Sequence, residues 1–404
     1  MLRSLRNQLG WKGNVRVIAV QTLISRIGFG MFTVIWQPYI LSTGANVIDL
    51  GVIQSTISLS TAVGLIAWGF LSDRFGRKPI ILLSNAFRVL SIVALVMSGE
   101  LFFLQLFAFL IGFSSLFYIG NPARNALISE SVDGKSRATA FSTITFISQI
   151  ANTVTASAGG YIAVKAGYLP IFYACIAFDL MGMILLASYL KETLPETERE
   201  RGALRVSQTI GALMPERGLM KLYLMMIVMG LGYGTGYAVF YGSLVDTYGY
   251  SPLQLGLIST VFNLVGAVSS IPFGRLSDRY GRRPFLKASW MMGTITVLGF
   301  LASRSLNMFL LFSVTNALDM SFFLSAWMAL VSEKAPPGEL STVMGKLGSY
   351  SRLVSIPAPW LAGILYTSHG FAAPLLIQLA CLTLSGALIF SLKEQSPRAF
   401  IPMN

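Results

Sequence analysis

The chain has 404 residues, of which 54% are hydrophobic and only 12% are charged. Soluble domains carry about 25% charged residues, and a soluble protein of this size has no way to bury so much apolar surface, so that class is excluded. The net charge is +13, but the Lys and Arg residues are scattered between apolar runs. This pattern excludes a nucleic-acid surface and indicates membrane topology.

Apolar runs long enough to cross a bilayer recur along the whole chain. Each must be helical, because lipid satisfies no backbone polar group. Numbered 1 to 12 in chain order, the predicted spans are 16–40, 50–72, 79–99, 101–128, 137–164, 169–190, 219–243, 253–276, 284–303, 306–331, 342–366 and 370–392. The predicted fold class is an all-α polytopic membrane protein with twelve transmembrane helices.

The Lys and Arg residues indicate the orientation of these spans. If the N-terminus lies inside, the inner segments hold 24 of the 30 Lys and Arg residues. The outer loops then hold only Lys165 and Arg304. Because positively charged loops stay on the cytoplasmic side, we expect a multi-pass protein of the plasma membrane with both termini in the cytoplasm.

One segment occurs twice, once in each half of the chain. It reads GFLSDRFGRKP at residues 69–79 and GRLSDRYGRRP at residues 274–284. Shorter matches are Leu-Lys-Glu at 190–192 and 392–394, Leu-Ile-Ser-Glu at 127–130 with Leu-Val-Ser-Glu at 330–333, and Gly160 with Gly363. Repetition of this kind indicates two homologous halves.

The long polar stretch between spans 6 and 7 separates these halves. We predict an N-terminal six-helix bundle at 1–190, a cytoplasmic linker at 191–218 and a C-terminal six-helix bundle at 219–404. The bundles are expected to be related by a pseudo-two-fold axis. Parallel repeats of this kind are a transporter architecture, with the substrate site near the midplane between the halves.

The repeated segment lies between spans 2 and 3 and between spans 8 and 9, where it resembles the loop motif of the major facilitator superfamily. NPARNALISE at residues 121–130 is similar to the corresponding stretch of drug and siderophore exporters. The resemblance implies a monomeric secondary active transporter that works by alternating access in the lipid bilayer. It implies a small-molecule substrate and protons as partners, and no enzyme activity, nucleic acid, metal or cofactor.

The repeated turn suits a sharp reversal between helices, because glycine carries no Cβ. The resemblance implies that Asp73 lies against the start of span 11 and Asp278 against the start of span 5, which would latch the halves on the cytoplasmic side. Alternatively, the basic residues only hold the loop inside. The predicted gate residues are Gly69, Asp73, Arg74, Gly76, Arg77, Gly274, Asp278, Arg279, Gly281, Arg282, and the acid–arginine pair Glu130 and Arg137.

Ionisable residues inside spans cost about 2.5–3.5 kcal/mol each at the bilayer centre if unpaired, so they mark candidate sites. By the resemblance, Arg26, Asp319 and Arg352 are cavity candidates. A buried Asp319 can load and unload a proton, or it forms a permanent ion pair with either arginine. The planar guanidinium groups of Arg26 and Arg352 suit the binding of an anionic solute. Alternatively, each pairs with an acidic residue. Arg88 and Asp179 are expected to form a structural pair.

Polar and aromatic side chains on cavity spans are further candidates for substrate contact. They are Gln149, Asn152, Tyr237, Tyr241, Asn263 and Asn316. The sequence has no phosphate-cradling Gly-rich loop, so ATP does not drive the protein directly. The predicted function is proton-coupled export, by antiport, of a drug-like or amphipathic solute, as in multidrug efflux. Proton-linked uptake of a small organic anion is the alternative, which Arg26 and Arg352 favour.

Overall fold

The computed structural model describes residues 13–116, 121–132, 137–194, 214–334 and 340–391. Every regular element in these residues is a helix. In chain order the α-helices are α1 (Gly13–Ser42), α2 (Val47–Phe75), α3 (Arg77–Val96), α4 (Leu101–Phe113), α5 (Pro122–Glu130), α6 (Arg137–Ala166), α7 (Leu169–Tyr189), α8 (Met220–Gly236), α9 (Phe240–Tyr248), α10 (Pro252–Tyr280), α11 (Arg282–Ala302), α12 (Leu306–Lys334), α13 (Leu340–Val354), α14 (Ala358–His369) and α15 (Ala372–Ser391).

Helices occupy all twelve predicted spans, but three spans predicted as continuous are broken. Span 4 is divided into α4 and α5, span 7 into α8 and α9, and span 11 into α13 and α14. Proline marks the point at which the helix resumes after two of these breaks, since it lacks a backbone N–H and favours a helix start. Pro122 opens α5 behind the N-cap Asn121, and Pro357 is the N-cap of α14. The third break follows Gly236, where α8 ends in a glycine-rich stretch that also contains Gly230, Gly232 and Gly234.

By length and composition, nine helical stretches in the described ranges are able to cross a membrane. Several of them expose large apolar side chains that a soluble protein would bury. Leu90 of α3 is 53% exposed, Ile184 of α7 is 65% exposed and Leu384 of α15 is 59% exposed. Such side chains are expected where a helix faces lipid.

Each bundle is built around an aromatic centre. In the first, α1 packs against α6 and α7, and α2 packs against α4. The ring of Phe32 in α1 lies 6.1 Å from those of Phe107 and Phe172. In the second, α12 packs against α10 and α11, and α8 packs against α15. There the ring of Phe300 lies 5.7 Å from that of Phe309.

The two repeated turns have the same geometry, and both need glycine. Gly76 has a φ of +104° and Gly281 a φ of +90°, a region that other residues rarely adopt. The N–H of each glycine donates to the carbonyl oxygen four residues earlier, at 3.1 Å. The predicted reversal between helices is thus confirmed in both halves.

The two bundles contact each other at the end of the molecule opposite the repeated turns, which we call the closed end. Gly160 of α6 packs against the backbone of Leu253 at the start of α10. Gly363 of α14 packs in the same way against Ile48 at the start of α2. A pseudo-two-fold pair of glycine contacts therefore brings helix backbones of the two bundles together at this end.

Candidate functional site

The first bundle contains a complete buried ion pair. Arg88 of α3 donates to Asp179 of α7 through Nε (2.8 Å) and Nη2 (2.7 Å). The hydroxyl of Ser25 in α1 donates to Asp179 (2.7 Å) and accepts from Arg88 (2.6 Å). The side chains of Arg88 and Asp179 are 7% and 1% exposed. The expected pair is present, and it joins α1, α3 and α7.

Two more arginines lie near this pair. Arg26 of α1 is partly exposed, and its guanidinium carbon lies 5.7 Å from the centroid of the Phe29 ring. Arg124 of α5 donates through Nη2 to the hydroxyl of Thr22 in α1. The Nε of Arg124 is buried with no acceptor in the described part of the chain. The sequence indicates Arg26 as a candidate but not Arg124, because an arginine near the end of a span is typical of a residue that only sets topology.

Asp319 lies in the middle of α12 and is 3% exposed. It accepts hydrogen bonds from the hydroxyls of Tyr233 in α8 and Ser289 in α11, each at 2.6 Å. Within the described residues, no lysine or arginine forms an ion pair with it. The ion pair with Arg26 or Arg352 that the sequence left open is therefore not formed among these residues, and the carboxyl group lies between neutral hydroxyls instead.

The tyrosine candidates continue this side of the second bundle. Tyr237 stacks on Tyr233, with ring centroids 5.6 Å apart and planes 26° apart. Tyr241 follows in α9. A narrow crevice is lined by Met229, Gly232, Tyr233, Gln378, Cys381 and Leu382. It encloses no room for a water molecule, whereas ligand pockets enclose about 300–1,000 Å³, so this crevice is too small for a drug-sized solute.

The asparagine candidates lie on α10 and α12. Asn263 donates to the carbonyl oxygen of Ser259 (2.8 Å). Asn316 is partly exposed and lies three residues before Asp319 in α12. Positions three apart are neighbours on a helix surface, so the structure brings Asn316 close to the buried carboxyl group.

The remaining cavity candidates lie on helices other than that of Asp319. The Gln149 side chain lies against Gly266 of α10, at the contact between the bundles. The Asn152 side chain lies against Gly30 of α1, inside the first bundle. Arg352 is partly exposed in the last turn of α13, where a cation is favoured by the helix dipole.

At the first repeated turn, Arg77 connects three elements of the first bundle. It donates to Ser72 (2.9 Å) and to Glu130 (3.0 Å), and it forms an ion pair with Asp73. Glu130 also accepts from the hydroxyl of Thr193 (2.5 Å). The described contacts of Asp73 and Glu130 thus join α2, α3, α5 and the segment that follows α7.

Glu192 contacts the predicted gate motif, although the sequence does not single it out. Its carboxylate accepts from the backbone N–H of Arg77 (2.9 Å) and Lys78 (3.0 Å). These are first-turn donors that a helix leaves unpaired, and the N-cap residue Gly76 has no side chain to satisfy them. Burial opposes ionisation of Glu192, but backbone hydrogen bonds from these residues and from 193–194 outweigh it and lower the pKa. The only signal in the sequence was the repeated Leu-Lys-Glu.

The second repeated turn holds its arginine in the same way as the first. Arg282 donates through Nη1 to Ser277 (3.3 Å), as Arg77 does to Ser72. The side chain of Asp278 lies outside the described residues. The two copies therefore share the contact between the arginine and the end of the preceding helix.

The other predicted gate residues surround these contacts. The guanidinium groups of Arg74 and Arg279 lie 5.4 Å and 5.5 Å from the aromatic ring of the next residue. Gly69 and Gly274 have open space where a side chain would project. The side chain of Arg137 lies outside the described residues, so its predicted pairing with Glu130 stays a prediction.

Comparison with known families and proteins gives matches over both halves. The family model of the Major Facilitator Superfamily matches residues 18–221 and again residues 222–403. An uncharacterized MFS-type transporter, YqjV of Bacillus subtilis (strain 168), is 24% identical over 379 residues, covering 89% of this chain and 88% of the relative. The multidrug resistance protein MdtG of Salmonella typhi is 22% identical over 399 residues, covering 95% of this chain and 94% of the relative.

Solved structures share the fold. A bacterial homolog of the human lysosomal transporter Spinster, in an inward-facing and occupied conformation, has a TM-score of 0.72 at 15% identity, covering 93% of this chain and 95% of that chain. The human organic anion transporter MFSD10 has a TM-score of 0.68 at 17% identity, covering 93% of this chain and 98% of that chain. Since the family model matches each half in turn, the protein belongs to the major facilitator superfamily and is a multi-pass membrane transporter.

Proposed function

We propose that the protein couples proton movement to the export of a drug-like or amphipathic small solute across the cell membrane. The environment of Asp319 carries this proposal. Its carboxyl group is 3% exposed and contacts the neutral hydroxyls of Tyr233 and Ser289. A charge in that position is costly to bury, so the group is suited to carry a proton and to release it when the site opens to water.

The names of the relatives support export. The relatives include proteins named for multidrug resistance, MdtG and multidrug resistance protein 2 of Bacillus subtilis (strain 168). The closed end lies opposite the repeated turns, which the Lys and Arg distribution predicts to be cytoplasmic. In this orientation the bundles, 1–190 and 219–404, would admit solute from the cytoplasm and then rock about the linker at 191–218.

The direction of coupling is tested in proteoliposomes across an imposed pH difference. Ethidium and 8-anilinonaphthalene-1-sulfonate serve as cationic and anionic amphipathic probes, and trapped pyranine reports proton movement. Antiport predicts that solute moves against the direction of proton flow. Movement of solute and protons in the same direction would contradict export.

We expect Asp319→Asn to abolish solute accumulation driven by the pH difference while leaving solute exchange at equal pH intact. Asparagine keeps the shape of the side chain but carries no titratable proton. Glu100→Gln is the matched control, because Glu100 is the N-cap of α4 and makes no side-chain capping hydrogen bond. Normal accumulation by Asp319→Asn would refute the proton role of this residue.

Proton-linked uptake of a small organic anion is the second candidate. Arg26 favours it, because this cation lies inside the first bundle beside Phe29 rather than in a loop. MFSD10, a structural neighbour, is described as an organic anion transporter. The proteoliposome experiment separates the two functions, since uptake by symport predicts that the sulfonate dye and protons move together.

A further inference from the structure

Among the described residues, positive charge exceeds negative charge inside the first bundle. Arg26, Arg88 and Arg124 all lie near α1, but the carboxylate of Asp179 is engaged by Arg88 through hydrogen bonds of 2.7 and 2.8 Å. Asp179 accepts a further hydrogen bond from Ser25 (2.7 Å). Among the described residues, Arg26 and Arg124 are therefore left without a carboxylate partner.

These two arginines approach the same face of α1. Arg124 donates to Thr22, which lies four residues before Arg26, and residues four apart on a helix are neighbours. The hydroxyl of Thr22 donates to the carbonyl oxygen of Ile18 (2.7 Å), so Thr22 accepts from Arg124 without neutralising it. Arg26 rests on the Phe29 ring, and the Nε of Arg124 is buried with no acceptor in the described ranges.

An arginine inside a membrane protein is costly unless an anion neutralises it, and two neighbouring cations repel each other. The guanidinium group presents five donors in a planar fork that matches carboxylate, sulfonate and phosphate. We propose that Arg26 and Arg124 together bind the anionic group of the transported solute, so that the substrate class is an amphipathic organic anion. This inference rests on the proposed transport of an amphipathic solute and specifies that the solute is negatively charged.

The test compares two dyes that differ only in the sulfonate. Protein in nanodiscs of zwitterionic lipid is titrated with 8-anilinonaphthalene-1-sulfonate and with neutral N-phenyl-1-naphthylamine, and empty nanodiscs supply the lipid background. We expect Arg26→Gln and Arg124→Gln each to weaken sulfonate binding about ten- to hundredfold, as for the loss of a charge-assisted hydrogen bond. Binding of the neutral dye should stay within about twofold, because it presents no anion to the guanidinium groups.

Arg304→Gln is the matched control. Arg304 lies between α11 and α12 and donates only to backbone oxygens of Leu301 and Ser303 among the described residues. The substitution removes the same charge far from the site, so it should leave the binding of both dyes unchanged. An equal loss of sulfonate binding in Arg304→Gln would show that overall charge, and not this site, attracts the dye.

A second measurement separates binding from a structural role. Without ligand, Arg26→Gln and Arg124→Gln should keep or raise the melting temperature, because each removes a cation that has no carboxylate partner within the described ranges. A lower melting temperature together with equal losses for both dyes would overturn the proposal.

The headgroup of an anionic lipid presents the same kind of negatively charged group to Arg26 and Arg124. Addition of phosphatidylglycerol to the nanodiscs should leave the difference between wild type and variants unchanged. Disappearance of that difference would identify a lipid headgroup as the occupant and overturn the proposal.

Arginine-dependent sulfonate binding without any gradient-driven transport would refute the proposed coupling alone. Gradient-driven transport without arginine-dependent selectivity would refute this site alone.

Discussion

The ion pair of Arg88 and Asp179 shows how a single buried charge depends on its partner. Forming such a pair requires removing both groups from water, but deleting one partner leaves the other charge buried and unneutralised. We expect Asp179→Asn to lower the free energy of unfolding by about 3–5 kcal/mol. Thermal or urea unfolding of the purified protein in detergent measures this loss.

The control removes both charges together. In Arg88→Met/Asp179→Leu, apolar side chains of similar size replace the pair, and stability should lie much closer to the wild type than in Asp179→Asn. Equal stabilities of the single and double variants would mean that packing, and not the uncompensated charge, determines the loss.

At this scale the sequence predicts which residues are exceptional better than it predicts their partners. Arg88 and Asp179 are conspicuous because charges are rare inside apolar spans, and the structure pairs them. The neighbours of Asp319 are different, since Tyr233 and Ser289 are ordinary residues on two other helices. Only the packing of α8, α11 and α12 brings their hydroxyls within 2.6 Å of the carboxyl group.

At the scale of the element, α3 begins with a capping group supplied from a distant part of the chain. Glu192 accepts from two first-turn N–H groups of α3 at 2.9 and 3.0 Å. We expect Glu192→Gln to lower the free energy of unfolding at neutral pH by about 1 kcal/mol, as for the loss of an N-cap. The pH dependence of the unfolding midpoint distinguishes the charge from the packing of the side chain.

The backbone hydrogen bonds lower the pKa of Glu192 despite its burial. A depressed folded pKa gives stability that is present above the ordinary glutamate pKa of about 4.3 and lost as pH falls through the folded value. The difference between wild type and Glu192→Gln should therefore shrink in acid. Glu100→Gln, at a helix start without a side-chain cap, should show no such trend. A difference that is constant with pH would contradict the charged cap.

The helix breaks mark a limit of prediction at this scale. Length and hydrophobicity locate a span well, because the bilayer sets its length. They do not show where the helix stops within the span. Pro122 gives a local signal for the start of α5, whereas the glycines at the end of α8 are the strongest local signal for the break after Gly236.

At the scale of the whole molecule, the sequence predicts the architecture but not the conformation. The repeated segment and the twelve apolar runs are properties of the chain, so they indicate two homologous six-helix bundles. Which end of the bundles is in contact depends on a balance between alternative packings of the same helices. The resemblance pairs span 2 with span 11 and span 8 with span 5, but nothing in the residue pattern reveals that these pairs meet at the end opposite the repeated turns.

The contacts at the closed end depend on the absence of side chains. A Cβ on Gly160 would overlap the backbone at the start of α10, and a Cβ on Gly363 would overlap the start of α2. We expect Gly160→Ala and Gly363→Ala each to shift the population toward states in which the closed end is open. Thr260 reports this opening, because its hydroxyl contacts Ser157 (2.7 Å) and the carbonyl oxygen of Thr153 (2.9 Å) across the bundles.

The measurement is the rate at which a membrane-impermeant maleimide labels Thr260→Cys, after replacement of the native Cys175 and Cys381 by alanine. Each glycine substitution should raise the rate several-fold, since the labelled fraction follows the open population when opening is fast. Gly348→Ala in α13 is the control, because open space surrounds that glycine, and it should not alter the rate. Unchanged labelling in both Gly160→Ala and Gly363→Ala would mean that the two bundles are held together by other contacts. Faster labelling in only one variant would mean that the contact of the glycine replaced in that variant is the one that keeps the closed end shut.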